Sequence, residues 1–72
     1  MNAEKIRQLK TMLSKAGFVY RPAKGSHSFW THPLMPDKPI TIAGNDGDDA
    51  LKYIEKQVNH LLQKLEKLKE EE

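Results

Sequence analysis

Lys24-Gly25-Ser26-His27-Ser28-Phe29-Trp30-Thr31-His32-Pro33 is the stretch that decides how this chain folds. A glycine turn opens it and a proline closes it. The aromatic and hydroxyl residues between them favour a short strand over Ser26 to His32. Successive strand side chains point to opposite faces, so His27 falls with Phe29 and Thr31, and Trp30 with Ser28 and His32. The two histidines then face opposite ways unless a bulge intervenes. The same stretch sets an imidazole just after the turn, with Arg21 and Lys24 on its N-terminal side. Histidine, with a reference pKa of about 6.5, exchanges protons near neutral pH, and beside cations that chemistry suits a reaction at a phosphate.

Outward from this strand the chain reads as helix, three strands, helix. Asn2 is placed to cap a first helix whose apolar residues Ile6, Leu9, Leu13 and Ala16 recur with helical period, and Gly17 supplies its left-handed stop. Phe18-Val19-Tyr20-Arg21 reads as a strand ended by Pro22. Leu34-Met35-Pro36-Asp37-Lys38 reads as a turn, and Pro39 opens a third strand, Ile40-Thr41-Ile42-Ala43, with both isoleucines on one face. Connections this short favour antiparallel pairing. Gly44-Asn45-Asp46-Gly47-Asp48-Asp49 is a loop in which Asp48 or Asp49 is placed to cap the second helix.

The second helix carries Leu51, Ile54, Val58, Leu61, Leu65 and Leu68 in a heptad seam. That seam either covers one face of the sheet or joins two copies in a coiled-coil homodimer, although it runs under three heptads. The charged end over 66–72 is expected to overhang and fray. The expected class is α+β: α-β-β-β-α, a three-stranded antiparallel sheet with two helices on one face, in a single domain over 1–72. That layer resembles the double-stranded-RNA-binding-domain fold, and a fold alone does not give a function.

Composition narrows the chemistry. A chain of 72 residues has a marginal core. It contains no cysteine, which removes disulfides, thiolate metal sites and cysteine nucleophiles and fits a reducing compartment. No apolar run approaches a membrane span and no signal-peptide pattern opens the chain, so a cytoplasmic protein without membrane contact is expected. The net charge is +2, but residues 1–38 carry a balance of +5 and residues 39–72 a balance of −3. Basic clustering is the footprint of a phosphate binder, whereas Lys5, Lys10 and Lys15 also fit a plain solvated helix face.

RNA strand scission by the ribose 2′-hydroxyl requires a base for its proton, an acid for the leaving 5′-oxygen, and positive charge at the phosphorane; it requires no metal. His27 is the candidate catalytic group, Lys24 the electrostatic one, and Gly25 allows close backbone approach. Arg21 adds charge, and the hydroxyls of Ser26 and Ser28 can bind phosphate oxygens. His32 is either a second proton-transfer group or a strand-end histidine that holds the turn before Pro33. Tyr20, Phe29 and Trp30 either stack bases on an open sheet face or join the core, where the Trp30 indole N–H requires a partner. His60 lies off the apolar seam of the second helix. The acidic loop lacks the spacing of an EF-hand, and no zinc pattern, phosphate loop or Ser-His-Asp series occurs, so no metal or cofactor is expected.

Gly17-Phe18 closing an amphipathic helix, then Lys24-Gly25-Ser26-His27, Trp30 and His32-Pro33, resembles the HicA family of toxins. Those are small mRNA interferases of type II toxin–antitoxin systems. The resemblance covers roughly residues 1 to 43. It implies ribosome-independent RNA cleavage, a fold like that of double-stranded-RNA-binding domains, and neutralisation by a HicB-like antitoxin that blocks the site. The family's essential histidine falls on His27. The second half departs from the pattern: where many members have a proline-histidine segment and a Gly-Thr-Leu run, this chain has its acidic 44–49 loop, which should repel phosphate if it lies near His27.

Three functions remain open on the residues alone: an endoribonuclease acting on mRNA through His27, a non-catalytic RNA-binding module, and a protein-interaction domain that uses the sheet face or the second helix.

Overall fold

In a computed structural model that describes residues 4–70, the central strand is paired on both sides. The elements are α1 (Ile6–Lys15), β1 (Val19–Pro22), β2 (His27–His32), β3 (Met35–Ala43) and α2 (Lys52–Glu70). The sheet order is β1-β2-β3 and both pairings are antiparallel. The expected α-β-β-β-α architecture is therefore the observed one.

The pleat of β2 sorts its side chains as its sequence predicts. Ser28, Trp30 and His32 are buried, while His27 is exposed and Phe29 and Thr31 are half-covered. In the register, Trp30 faces Ile40 and Ser28 faces Ile42, so this inner face continues onto β3. Ile6, Leu9 and Leu13 of α1 and Ile54, Val58, Leu61 and Leu65 of α2 are buried with it in one core. Each such side chain is worth about 1.5–3 kcal/mol when removed from water. The seam of α2 is thus used inside the protomer, as the sheet-covering reading expects, and a homodimer through α2 would require another face. Leu51 lies outside the helix and is exposed. The helix continues through Lys69 to Glu70, further than the fraying expected from residue 66.

Three local readings are corrected. The turn between β2 and β3 is only Pro33-Leu34, and Met35 to Pro39 belong to β3. The register slips between Trp30 and His32, whose partners are Ile40 and Met35, so residues 36–39 bulge opposite Thr31. An edge strand with a bulge accepts Pro36 and Pro39, whose nitrogens have no proton to contribute to a ladder. The residue at the N-cap of α1 is Lys5, and Asn2 lies outside the described residues. The acidic loop serves α1 and not α2. The N–H groups of Ile6 and Arg7, without acceptors inside their own helix, donate to the carbonyls of Asp48 and Asp46 at 2.9 and 3.2 Å.

His32 fastens the other end of α1. Its Nε2 lies 3.1 Å from the carbonyl oxygen of Ala16, and its Nδ1 accepts the N–H of Leu34 at 3.0 Å. A carbonyl only accepts, so Nε2 carries the proton. One ring thus joins the C-terminal cap of α1 to the β2–β3 turn. Gly17 (φ +97°) makes the fit possible, because a Cβ there would sit 3.2 Å from His32 Nε2. Phe18 meets the same ring edge-on at 5.1 Å. Trp30 is satisfied in the same economical way: its indole N–H donates to Ser28 Oγ at 2.9 Å, and that hydroxyl donates to the Ile42 carbonyl.

Replacing His32 with alanine leaves the Leu34 N–H and the Ala16 carbonyl without partners. The expected loss is about 1–3 kcal/mol. For a domain of this size each kcal/mol lowers the melting temperature by about 4–8 °C, so thermal unfolding followed by circular dichroism measures the loss directly.

Candidate functional site

The β1–β2 hairpin builds the site. Its loop, residues 23–26, closes with the Ala23 N–H on the His27 carbonyl and the His27 N–H on the Lys24 carbonyl, both at 3.2 Å. Gly25 sits at the tip with φ +64°, a left-handed conformation that side-chain-bearing residues rarely adopt, and a Cβ there would meet nothing within 4 Å. Backbone conformation, not crowding, is the reason for glycine at this position.

The Lys24 carbonyl also fixes the imidazole. His27 Nδ1 lies 3.0 Å from that oxygen, so Nδ1 must carry the proton and the neutral ring keeps its lone pair on Nε2. Nε2 has no hydrogen-bond partner among the described residues, and the residue is exposed. The ring is oriented at one nitrogen and open at the other, the arrangement a proton acceptor requires.

Around it the expected residues divide into two sets. Arg21, Lys24, Gly25 and Ser26 are exposed on the same hairpin. Neither Arg21 nor Lys24 forms an ion pair among the described residues. Register places Arg21 opposite Phe29 and Phe29 opposite Thr41, and strand parity puts these with His27 on the face the helices leave uncovered. Ser28 and His32 are buried with their polar atoms engaged, Ser28 Oγ between the Trp30 indole and the Ile42 carbonyl and His32 between Ala16 and Leu34. Of the two readings of His32 this geometry fits the one that holds the turn before Pro33. Of the aromatics, Phe29 alone lies on the uncovered face. Trp30 is core, and half-exposed Tyr20 rests against Trp30 with ring centroids 5.3 Å apart.

A recess of about 280 Å³ opens between the hairpin tip, α1 and the acidic loop, lined by Lys10, Tyr20, Gly25, Ser26, His27, Ser28, Gly44, Asn45 and Asp46. The acidic loop therefore does lie beside His27. Its charge is partly cancelled, since Asp46 pairs with Lys10 at 2.7 Å and Asp49 pairs with Lys5. The basic first half and the acidic second half, separate along the chain, meet in space. Lys10 and Asp46 are the site members missed by sequence reasoning: 36 residues separate them, and only the closure of the loop on α1 brings them together. Among the described residues no group of three or more histidine, cysteine, aspartate or glutamate side chains is placed to hold a metal ion, and no helix is long and apolar enough to cross a membrane.

A small α+β layer with two helices over one sheet face and an oriented histidine at the start of its central strand defines the class. The family model described as "HicA toxin of bacterial toxin-antitoxin" matches residues 6–68, and the chain belongs to that family. The match runs well past residue 43, where the motif resemblance ends, and takes in the acidic loop and nearly all of α2. No curated protein and no solved structure matches the chain significantly.

The two histidines are expected to be opposite tautomers when neutral, His27 protonated on Nδ1 and His32 on Nε2. Nitrogen-15 correlation spectra of the imidazole rings distinguish the two, and a shared tautomer contradicts the bonds to the Lys24 and Ala16 carbonyls.

Proposed function

We propose that this toxin cleaves mRNA, with His27 as the proton-transfer residue, and that a HicB-like antitoxin silences it by covering the His27 rim. The observation that supports this best is the His27 ring, held at Nδ1 by the Lys24 carbonyl and free at Nε2 on an exposed edge. Family membership supports the toxin reading, and the chemistry of the site supplies the mechanism.

In that mechanism His27 Nε2 takes the proton of a ribose 2′-hydroxyl. The 2′-oxygen bonds to phosphorus as the bond to the 5′-oxygen breaks. The leaving oxygen receives a proton from the imidazolium so formed or from water. With His32 engaged in the core, one imidazole serves both halves of this transfer. Lys24 and Arg21 oppose the charge that develops on the phosphorane, Ser26 offers a hydroxyl to a phosphate oxygen, and Gly25 leaves room for the backbone of the RNA. Phe29, half-covered on the open face, provides a surface on which an unpaired base can stack. Such a protein acts where mRNA is, in the cytoplasm.

His27→Ala is the decisive variant. General acid–base groups contribute typically about 10²–10⁴-fold, so cleavage of a test mRNA and growth arrest on expression are expected to fall by that range. The exposed ring supports little of the fold, so the melting temperature and RNA binding should stay near those of the parent. Undiminished cleavage by the variant refutes the assignment. Loss of RNA binding together with cleavage would make His27 a binding residue instead.

A further inference from the structure

We infer that the recess beside His27 is a phosphate subsite whose cation, Lys10, is held by Asp46 until an RNA phosphate takes it over. This rests on the RNA-cleaving reading and deepens it by adding a built-in competitor.

Three observations carry it. Lys10 is the one lysine or arginine among the described residues lining the recess, and Asp46 faces it from the opposite wall with Oδ1 2.7 Å from Nζ. The two partners are unequally anchored. The Lys10 side chain is only 26 % exposed, whereas that of Asp46 is 66 % exposed. The cation is thus the more enclosed partner and the anion the more solvated, replaceable one. Exposed pairs of this kind shift an equilibrium by only about two- to fivefold, within reach of a competing phosphate. Thirdly, Asp46 can release Lys10 without opening the fold. The loop is closed on α1 through backbone carbonyls, Asp46 to the Arg7 N–H and Asp48 to the Ile6 N–H, and Asp48 Oδ2 accepts the Asn45 N–H. None of these bonds uses the Asp46 carboxylate.

In the resting recess Lys10 and Asp46 cancel, and neither steers a phosphate. When a phosphate binds Lys10 it displaces a carboxylate of equal charge, and the freed carboxylate beside the RNA gathers a cation as the phosphate sheds one, so the exchange releases no net counterion. Neutralising Asp46 removes the competitor and restores that release. Affinity should rise, and the dependence on salt should steepen by about 0.7 in the logarithmic slope, the amount for one contact to a single strand.

The test measures binding of a single-stranded RNA oligonucleotide with 2′-O-methyl riboses, which cannot supply a 2′-hydroxyl nucleophile. It compares the parent, Asp46→Asn, Lys10→Gln and the double variant between about 50 and 200 mM salt. Asp46→Asn is expected to bind about two- to fivefold tighter with the steeper slope, Lys10→Gln more weakly, and the double variant like Lys10→Gln alone. Asp46→Ser, which removes the same charge with a different shape, should repeat the gain, and thermal melts check that all variants fold. Unchanged affinity in both Asp46 variants overturns the inference, as does a gain that persists without Lys10, since that would be a long-range charge effect. Binding by the parent with no Asp46 effect defeats the subsite alone, whereas no binding by any variant defeats the RNA reading and the subsite together.

Discussion

The alternation of side chains along β2 is the constraint on which the rest of the molecule depends. Six residues send Ser28, Trp30 and His32 under the helices and leave His27, Phe29 and Thr31 on the other side. A slip of one residue would exchange the two sets, burying the imidazole of His27 and exposing the indole. The register is held from both directions. Trp30 and Ser28 lock onto Ile40 and Ile42, and His32 ties the end of the strand to the C-terminal cap of α1. The precision of the exposed histidine is therefore set by the buried one.

This division explains why the features that resemble the family fall into two groups. Gly17, Phe18, His32 and Pro33 belong to one structural joint, in which a glycine makes room for an imidazole that pairs a helix end with a turn. Lys24, Gly25, Ser26 and His27 belong to the hairpin that orients the second imidazole. The two histidines have the same chemistry and opposite fates. One has both nitrogens engaged, and the other has a single nitrogen engaged and the other exposed.

Periodicity made most of the fold legible. The stripes of α1 and α2 and the pleat of β2 each repeat often enough to declare a face, and those faces are the ones buried. The extent of β3 was hidden because Pro36 and Pro39 signal a turn, while an edge strand with a bulge tolerates both. The capping role of the acidic loop was hidden for a different reason: its acceptors are backbone carbonyls, which leave no mark on residue type. His27 was legible as the candidate from its neighbours along the chain, and its pairing with Ala43 next to Gly44 brings the acidic loop to its side. The engagement of the Ser28 hydroxyl between Trp30 and Ile42 leaves no local mark, because a hydroxyl near a histidine says nothing of which way it points. Lys10 and Asp46 carry no local signal of partnership, since charge counted along a chain does not reveal which opposite charges the topology will join.

In the proposed reaction a proton leaves a ribose 2′-hydroxyl for the His27 imidazole, and the ends of the product RNA would record that step. Mass spectrometry of fragments cut by the purified protein should find 2′,3′-cyclic phosphate, or the 2′- or 3′-phosphate derived from it, facing a 5′-hydroxyl. Fragments that end in a 3′-hydroxyl and begin with a 5′-phosphate would mean that water, and not the 2′-oxygen, attacked phosphorus, and would contradict the role given to His27.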